Sequence, residues 1–217
     1  MRVLGAMLDL LFPPRCAFCR GFLAKGEGRT CSTCERDLPF CRGEDARQEG
    51  EFYSVCISPL LFEDQVRDSI HRYKFQGARC YRHPYATLMA PSIAHQLKGR
   101  YDILSWVPVS RGRLRTRGYD QAKILAEAIG RELDVIPVKT LKKVKHTAAQ
   151  SGLGGRDARS ANIAGAYVAL GSVAGKRVLL VDDVLTTGST LSESANALRL
   201  AGASEVLAAT LARGEGN

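Results

Sequence analysis

At 217 residues, with 45% hydrophobic and 24% charged content, the chain suits one globular domain with a small appendage, which excludes a fibrous or intrinsically disordered protein. The net charge of +9 is concentrated in residues 101–150, where ten Lys/Arg face five acids, while 151–217 balance six against six. Such an excess suits a phosphate-rich partner, either a pyrophosphate ligand or nucleic acid, and a plain solvated basic surface accounts for it equally well.

Residues 1–12 fit a short amphipathic helix closed by Pro13-Pro14. Asp9 interrupts the opening apolar run too early for a signal peptide, and nothing later approaches transmembrane length. A cytoplasmic location without membrane insertion is therefore expected. Seven cysteines, an odd number with no signal peptide expected, argue for metal or free thiols over a disulfide framework. Cys16-x-x-Cys19 and Cys31-x-x-Cys34, separated by eleven residues, have the spacing of a tetrahedral four-thiolate site, with Zn²⁺ the expected ion. The segment between them is too rich in Gly, Lys and Arg to fold unaided, so metal binding would supply the folding energy. Four ligands leave no open position, so the site reads as structural; four unrelated free thiols is the competing reading. Cys41, Cys56 and Cys80 are expected as free thiols. The chain thus divides into a module over 1–41, a charged, Gly-containing linker over 42–51, and a main domain over 52–217.

Phe52 to Phe62 reads as one or two strands, and Glu63 to Phe75 as a helix ended by Gly77. Its His71-Arg72-Tyr73-Lys74-Phe75 interleaves cations and aromatics. That pattern suits nucleic acid, and it equally describes a helix half in the core and half in solvent. Tyr85 to Leu97 is a second helix, Ile103 to Val109 a buried strand and Tyr119 to Leu133 a third helix. Between strand and helix, Arg111-Gly112-Arg113-Leu114-Arg115-Thr116-Arg117-Gly118 is expected as a loop offering amides and arginines to an anion, or as a solvated basic turn. Lys139 to Ala164 shows no periodicity, and a stretch this long in a compact domain is functional or disordered. Gln150 and Arg156 could reach an anion from it; His146 reads as a solvated loop residue.

The most informative stretch is Arg177 to Thr190. Val178 to Val181 is an aliphatic run of the kind buried on both faces of a parallel sheet. Asp182 and Asp183 stand where that strand should end. Thr186, Thr187, Gly188, Ser189 and Thr190 then lead into a helix, Leu191 to Ala201, stopped by Gly202, and Glu205 to Leu211 reads as the next strand. A βαβ unit with such a loop at its helix N-terminus is a phosphate site, because unpaired amides and the helix dipole favour an anion. Two carboxylates beside it would repel the phosphate unless they bind vicinal hydroxyls or hold Mg²⁺. A sugar phosphate carrying a free diol and a metal satisfies all of this. Neither GxxxxGK[ST] nor GxGxxG occurs, and a receiver domain would need more βα units after its acidic pair. A capped turn without a ligand is the remaining alternative.

Val178 to Thr190 resembles the phosphoribosyl pyrophosphate (PRPP) signature of type I phosphoribosyltransferases. The resemblance implies an α/β fold, a twisted parallel sheet flanked by helices, here with a small N-terminal zinc-ribbon-like module. It implies that Asp182 and Asp183 hold the ribose hydroxyls and the Mg²⁺ shell, and that Thr186 to Thr190 wrap the 5′-phosphate. It also implies that the arginine-rich junction receives pyrophosphate, with Arg111 as the expected contact, and that 139–164 forms a lid. The acceptor would be selected by a hood built from residues before Tyr101.

With the cysteine knuckles, Val107-Pro108-Val109-x-Arg111, Arg117-Gly118-Tyr119-Asp120-Gln121-Ala122, Thr147-x-x-Gln150-x-x-Leu153 and Arg159-x-x-Asn162, essentially the whole chain resembles the ComF family. That family includes competence proteins implicated in handling incoming single-stranded DNA during natural transformation. The resemblance implies single-stranded DNA and DNA-uptake proteins as partners beside PRPP, with Lys74, Arg113, Arg115 and Arg117 as expected DNA contacts. Two departures stand out: Glu44 takes the place of a partner for Cys41, where some members carry a second cysteine pair, and Asp120 replaces the asparagine common before Gln-Ala. The implied reaction is displacement of pyrophosphate from PRPP by a nitrogen nucleophile, carried by Arg111, Asp182 and Asp183. Purine-using relatives of the fold open the phosphate loop with a carboxylate; this chain has Thr186, which cannot serve as a base at neutral pH. A transferase with an unnamed acceptor and a PRPP- or DNA-binding competence factor without transfer activity both remain open, as does the oligomeric state.

Overall fold

The computed structural model describes residues 13–24, 26–144 and 165–214. In chain order its elements are α1 (Ser32–Asp37), β1 (Arg47–Gln48), β2 (Val55–Ile57), β3 (Leu60–Leu61), α2 (Asp64–Phe75), α3 (Arg82–Leu97) and β4 (Ile103–Trp106). They continue with α4 (Arg111–Arg117), α5 (Gln121–Leu133), β5 (Leu141–Lys143), β6 (Tyr167–Ala169), β7 (Arg177–Leu185), α6 (Ser189–Leu200) and β8 (Glu205–Arg213). The helix expected over 1–12 lies outside the described residues, as do 145–164 of the expected lid.

Six strands form one sheet in the order β1-β2-β8-β7-β4, with β3 also paired to β8. Every pairing is parallel except β1 with β2. The aliphatic run of β7 is central because both of its faces are covered. Leu179 and Val181 join Ile70, Tyr85, Ile93 and Leu125 from α2, α3 and α5 on one side. Val178 and Leu180 join Leu191, Ala195 and Leu198 of α6, with Leu141 and Tyr167 of the antiparallel β5–β6 pair, on the other. Each such buried aliphatic side chain contributes about 1.5–3 kcal/mol relative to exposure. Asp182 and Asp183 lie within β7, which runs on to Leu185 and does not end at the acidic pair as expected. They sit in its C-terminal part, toward the edge where ligands of open α/β sheets bind.

Two expectations give way. Residues 42–51 are not a free linker: Arg47 and Gln48 pair with Ile57 and Cys56, and Ser58 N–H donates to the Ala46 carbonyl at 2.9 Å. The arginine-rich junction is not a loop but the helix α4. Ser110 Oγ caps it by accepting from Arg113 N–H at 3.3 Å, and Gly118 closes it at φ +73°. No residue of α4 is fully buried, so it lacks the apolar periodicity that would announce a helix.

Candidate functional site

One cavity of about 220 Å³ at the end of β7 gathers Asp182, Asp183, the loop Thr186–Thr190, Lys74, Arg113, Arg117, Gln121, Lys143 and Tyr167. Gly188 makes its loop possible. The residue sits at φ +74°, and a Cβ there would lie 3.3 Å from the Tyr53 hydroxyl. It occupies the N-cap position of α6 without a side-chain cap. Ser189 N–H makes a long 3.5 Å bond to Thr187 Oγ1, and the amides of Thr190 and Leu191 are left for a ligand. Thr187 Oγ1 and Ser189 Oγ lie 3.0 Å apart beside them.

The charges are tightly interlocked. Lys74 Nζ reaches Asp183 Oδ1 at 2.6 Å, and the Asp183 side chain is only 9% exposed. Burial first, and the Asp183 charge second, push the Asp182 carboxyl up to about 8. Lys143 Nζ donates to the Tyr167 hydroxyl at 3.1 Å, and burial aided by Arg113 brings its amine down to about 8. Arg117 stacks on Phe75 with its guanidinium 4.5 Å from the ring centroid and donates to Gln121 Oε1 at 3.0 Å. Gln121 is buried, and its Nε2 has no hydrogen-bond partner among the described residues. An orphaned buried donor beside a phosphate loop fits an anionic ligand that brings acceptor oxygens.

The helical geometry of α4 sorts its arginines. Residues four apart share a face, so Arg113 and Arg117 line the cavity together. Arg111, expected to contact pyrophosphate, instead lines a neighbouring groove of about 620 Å³ with Lys123, Lys139 and Lys142. Arg115 is exposed. Of the four residues expected at nucleic acid, Lys74, Arg113 and Arg117 therefore face the cavity and Arg115 alone remains outside it. Asp120, the departure from asparagine, caps α5 by accepting from Lys123 N–H at 3.2 Å and also accepts from Val109 N–H at 3.2 Å. His146, Gln150 and Arg156 lie outside the described residues. The sequence alone did not single out Gln121 or Lys143 as site residues. The strand alternation of β5, with Lys142 outward and Lys143 inward, is the local signal that separates the two lysines.

The four cysteines expected to hold metal do converge: the Sγ atoms of Cys16, Cys19, Cys31 and Cys34 all lie within 4.8 Å of one another. Cys19 and Cys31 Sγ are 3.7 Å apart, close to the edge of a tetrahedron built on Zn–S bonds of about 2.3 Å. Backbone N–H groups of Gly21, Cys31 and Cys34 point at Cys19, Cys16 and Cys31 sulphur at 3.4–3.5 Å. Burial raises the Cys16 thiol, but amide donors from Cys31, Cys19 and Phe18 outweigh it and bring it to about 7. Burial and the other thiols push Cys34 well up. Four sulphurs this close cannot all ionise without a cation, so the donor set fits Zn²⁺. Cys41, Cys56 and Cys80 are free.

Residues 115–216 match the family model described as a phosphoribosyl transferase domain, and residues 7–48 match a double zinc ribbon domain. Competence protein F of Haemophilus influenzae is 32% identical, over 92% of this chain and 96% of that protein. The chain belongs to the ComF family. Competence protein ComFC of Streptococcus pneumoniae is 29% identical over 70% of this ComF-family chain and 65% of its own length. A solved glutamine PRPP amidotransferase from B. subtilis aligns with 64% of this chain and 30% of its own, at 20% identity and a TM-score of 0.43. The family models and the four-cysteine cluster together support the phosphoribosyltransferase-type α/β fold with a structural zinc module. Although the matched module is a double ribbon, the described residues contain one four-cysteine group. Among the described residues no helix is long and apolar enough to cross a membrane.

Proposed function

We propose that this ComF-family chain binds PRPP with Mg²⁺ in the cavity at the end of β7 and transfers its phosphoribosyl group to a nitrogen nucleophile. The observation that carries the reading is one cavity holding an acidic pair, an uncapped helix N-terminus and four cationic side chains. Asp182 and Asp183 would hold the ribose hydroxyls and the Mg²⁺ shell, and the loop Thr186–Thr190 would wrap the 5′-phosphate. Bound Mg²⁺ would neutralise charge on the departing pyrophosphate. Arg113, Arg117 and Lys143, with Gln121 Nε2, line the same cavity and would bind that group and stabilise charge as the anomeric C–O bond breaks. The new C–N bond forms as pyrophosphate departs with the bonding electron pair, and the nitrogen then loses a proton. Thr186 supplies no base for that proton, which favours an acceptor that needs none or, as the second reading, a PRPP-binding competence factor without turnover.

Calorimetry with PRPP and Mg²⁺ tests the ligand, and binding should vanish in the Asp182→Ala/Asp183→Ala variant. Equal affinity in both proteins would sink the assignment. Pyrophosphate release on adding candidate nitrogen acceptors distinguishes the transferase from the binding factor. For a role in competence, which the relatives' names suggest, single-stranded DNA would lie outside the cavity, along Arg111, Arg115, Lys123, Lys139 and Lys142. Binding should weaken steeply with salt and lose slope on neutralising Arg111 and Lys142.

A further inference from the structure

The cavity and the cysteine module share one helix. The turn of the first knuckle, Cys16-Ala17-Phe18-Cys19, offers its carbonyls to α2: Ser69 Oγ donates to the Ala17 carbonyl at 2.7 Å, and Arg72 Nη2 donates to Ala17 and Phe18 carbonyls at 3.1 and 2.6 Å. Cys34 Sγ lies 3.5 Å from Gln65 Oε1 on the same helix. The Phe18 ring packs 5.9 Å from Tyr85, which meets Tyr73 at 5.1 Å. Next along the chain, Lys74 Nζ sits on Asp183. Tyr73 also donates from its hydroxyl to the Gln121 carbonyl at 2.8 Å, so α2 steadies the residue whose amide donor is unpaired. The knuckle thus grips one turn of α2, and the following residues deliver a cation and a brace to the cavity.

We propose that Lys74 is a ligand-binding residue of the cavity, and that the cysteine module sets its position through Ser69 and Arg72, so that the two sites are thermodynamically coupled. In the unliganded protein the ammonium neutralises Asp183. A cation taken up by the acidic pair frees it for an anionic oxygen of the same ligand, and coupling of this kind is reciprocal. Lys74's part in ligand binding rests on the PRPP reading; the grip of the module on α2 does not.

The positioning residues are tested in the full chain with Ser69→Ala/Arg72→Met, which leaves the four cysteines and Lys74 in place. Arg72→Lys is the milder variant if circular dichroism shows the pair to be unfolded. The ligand-free readout is acetylation of Lys74 by acetic anhydride, followed by mass spectrometry. Labelling should rise several-fold in the variant while bound zinc stays at the wild-type level, and zinc removal from wild type by a chelator should raise it likewise. The ligand readout is calorimetry with PRPP–Mg²⁺ and separately with inorganic pyrophosphate. Affinity for PRPP–Mg²⁺ should fall about tenfold in Ser69→Ala/Arg72→Met and in Lys74→Met, and the triple variant should lose little more, because both changes act through the same ammonium and are not additive. Unchanged Lys74 labelling with zinc retained overturns the brace. Unchanged affinity in Lys74→Met overturns the ligand role. A wild type that binds neither probe defeats the PRPP reading and Lys74's ligand role with it, and the labelling still decides the brace.

Discussion

At the residue scale, the cavity keeps opposite charges in a poorly solvated place, and its titration should show it. Asp182 is held at about 8, far above an unfolded aspartate near 3.9, so the folded state binds the extra proton between these values. Stability contributed by Asp182 therefore falls as pH rises from about 4 to 8. Lys143, brought down to about 8, acts in the opposite sense, because an unfolded lysine near 10.4 holds its proton longer, and stability rises from about 8 to 10. Denaturant titrations across this range should lose the falling limb in Asp182→Asn and the rising limb in Lys143→Met; curves parallel to wild type would contradict the assignment. The same amine predicts that PRPP–Mg²⁺ binding at about pH 8.5 takes up a proton, because an anion beside Lys143 favours its charged form. The uptake is read as a heat that varies with buffer ionisation; in Lys143→Met it should give way to a smaller release, the proton that Asp182 loses to the cation. What was legible here was contiguous: Asp182, Asp183 and the loop that follows them stand together in the sequence. Lys74, Gln121 and Lys143 come from α2, α5 and β5, and only the packing of those elements brings them to one place.

At the element scale, the long periodic stretches declared themselves and α4 did not. The β7 run, α3 and α5 carry core faces, whereas the single apolar residue of α4, Leu114, is 43% exposed. Its signals are terminal, Ser110 before it and Gly118 after it, a cap pair that is easily read as a turn. Recognising the helix changes the chemistry, since alternate arginines in a loop are equivalent, whereas on a helix they split into an inward pair and an outward pair. Ser110→Ala should cost about 0.5–2 kcal/mol of stability by thermal or chemical unfolding. It should also weaken PRPP–Mg²⁺ binding, because Arg113 and Arg117 lose their shared mount. Arg115→Ala, on the exposed side, should change neither. An equal loss of binding in both variants would show that α4 contributes general positive charge and not a placed pair.

At the scale of the whole molecule, the four-cysteine module, residues 42–51 and the phosphoribosyltransferase-like domain share one core and one hydrogen-bonded sheet. Cys16, Ala17, Phe18, Cys34 and Leu38 of the module belong to the same core cluster as Ile70, Tyr85 and Leu125. The chain from Pro39 to Gln48 bonds directly to strands of the sheet, with Leu61 N–H donating to the Pro39 carbonyl at 2.8 Å and Cys41 N–H to the Pro59 carbonyl at 2.9 Å. The segment between the two knuckles, too poor in apolar residues to fold unaided, holds its shape through metal and through that shared core. Zinc binding then stabilises the whole chain by linkage, since the ion binds the folded cluster and not a preformed site in the unfolded chain. Calorimetric unfolding of the zinc-loaded protein should show one cooperative transition. Chelation, or Cys16→Ser with its loss of bound zinc, should move that whole transition to lower temperature. Were the module an independent domain, chelation would instead remove a separate low-temperature transition and leave the melting of the sheet where it was.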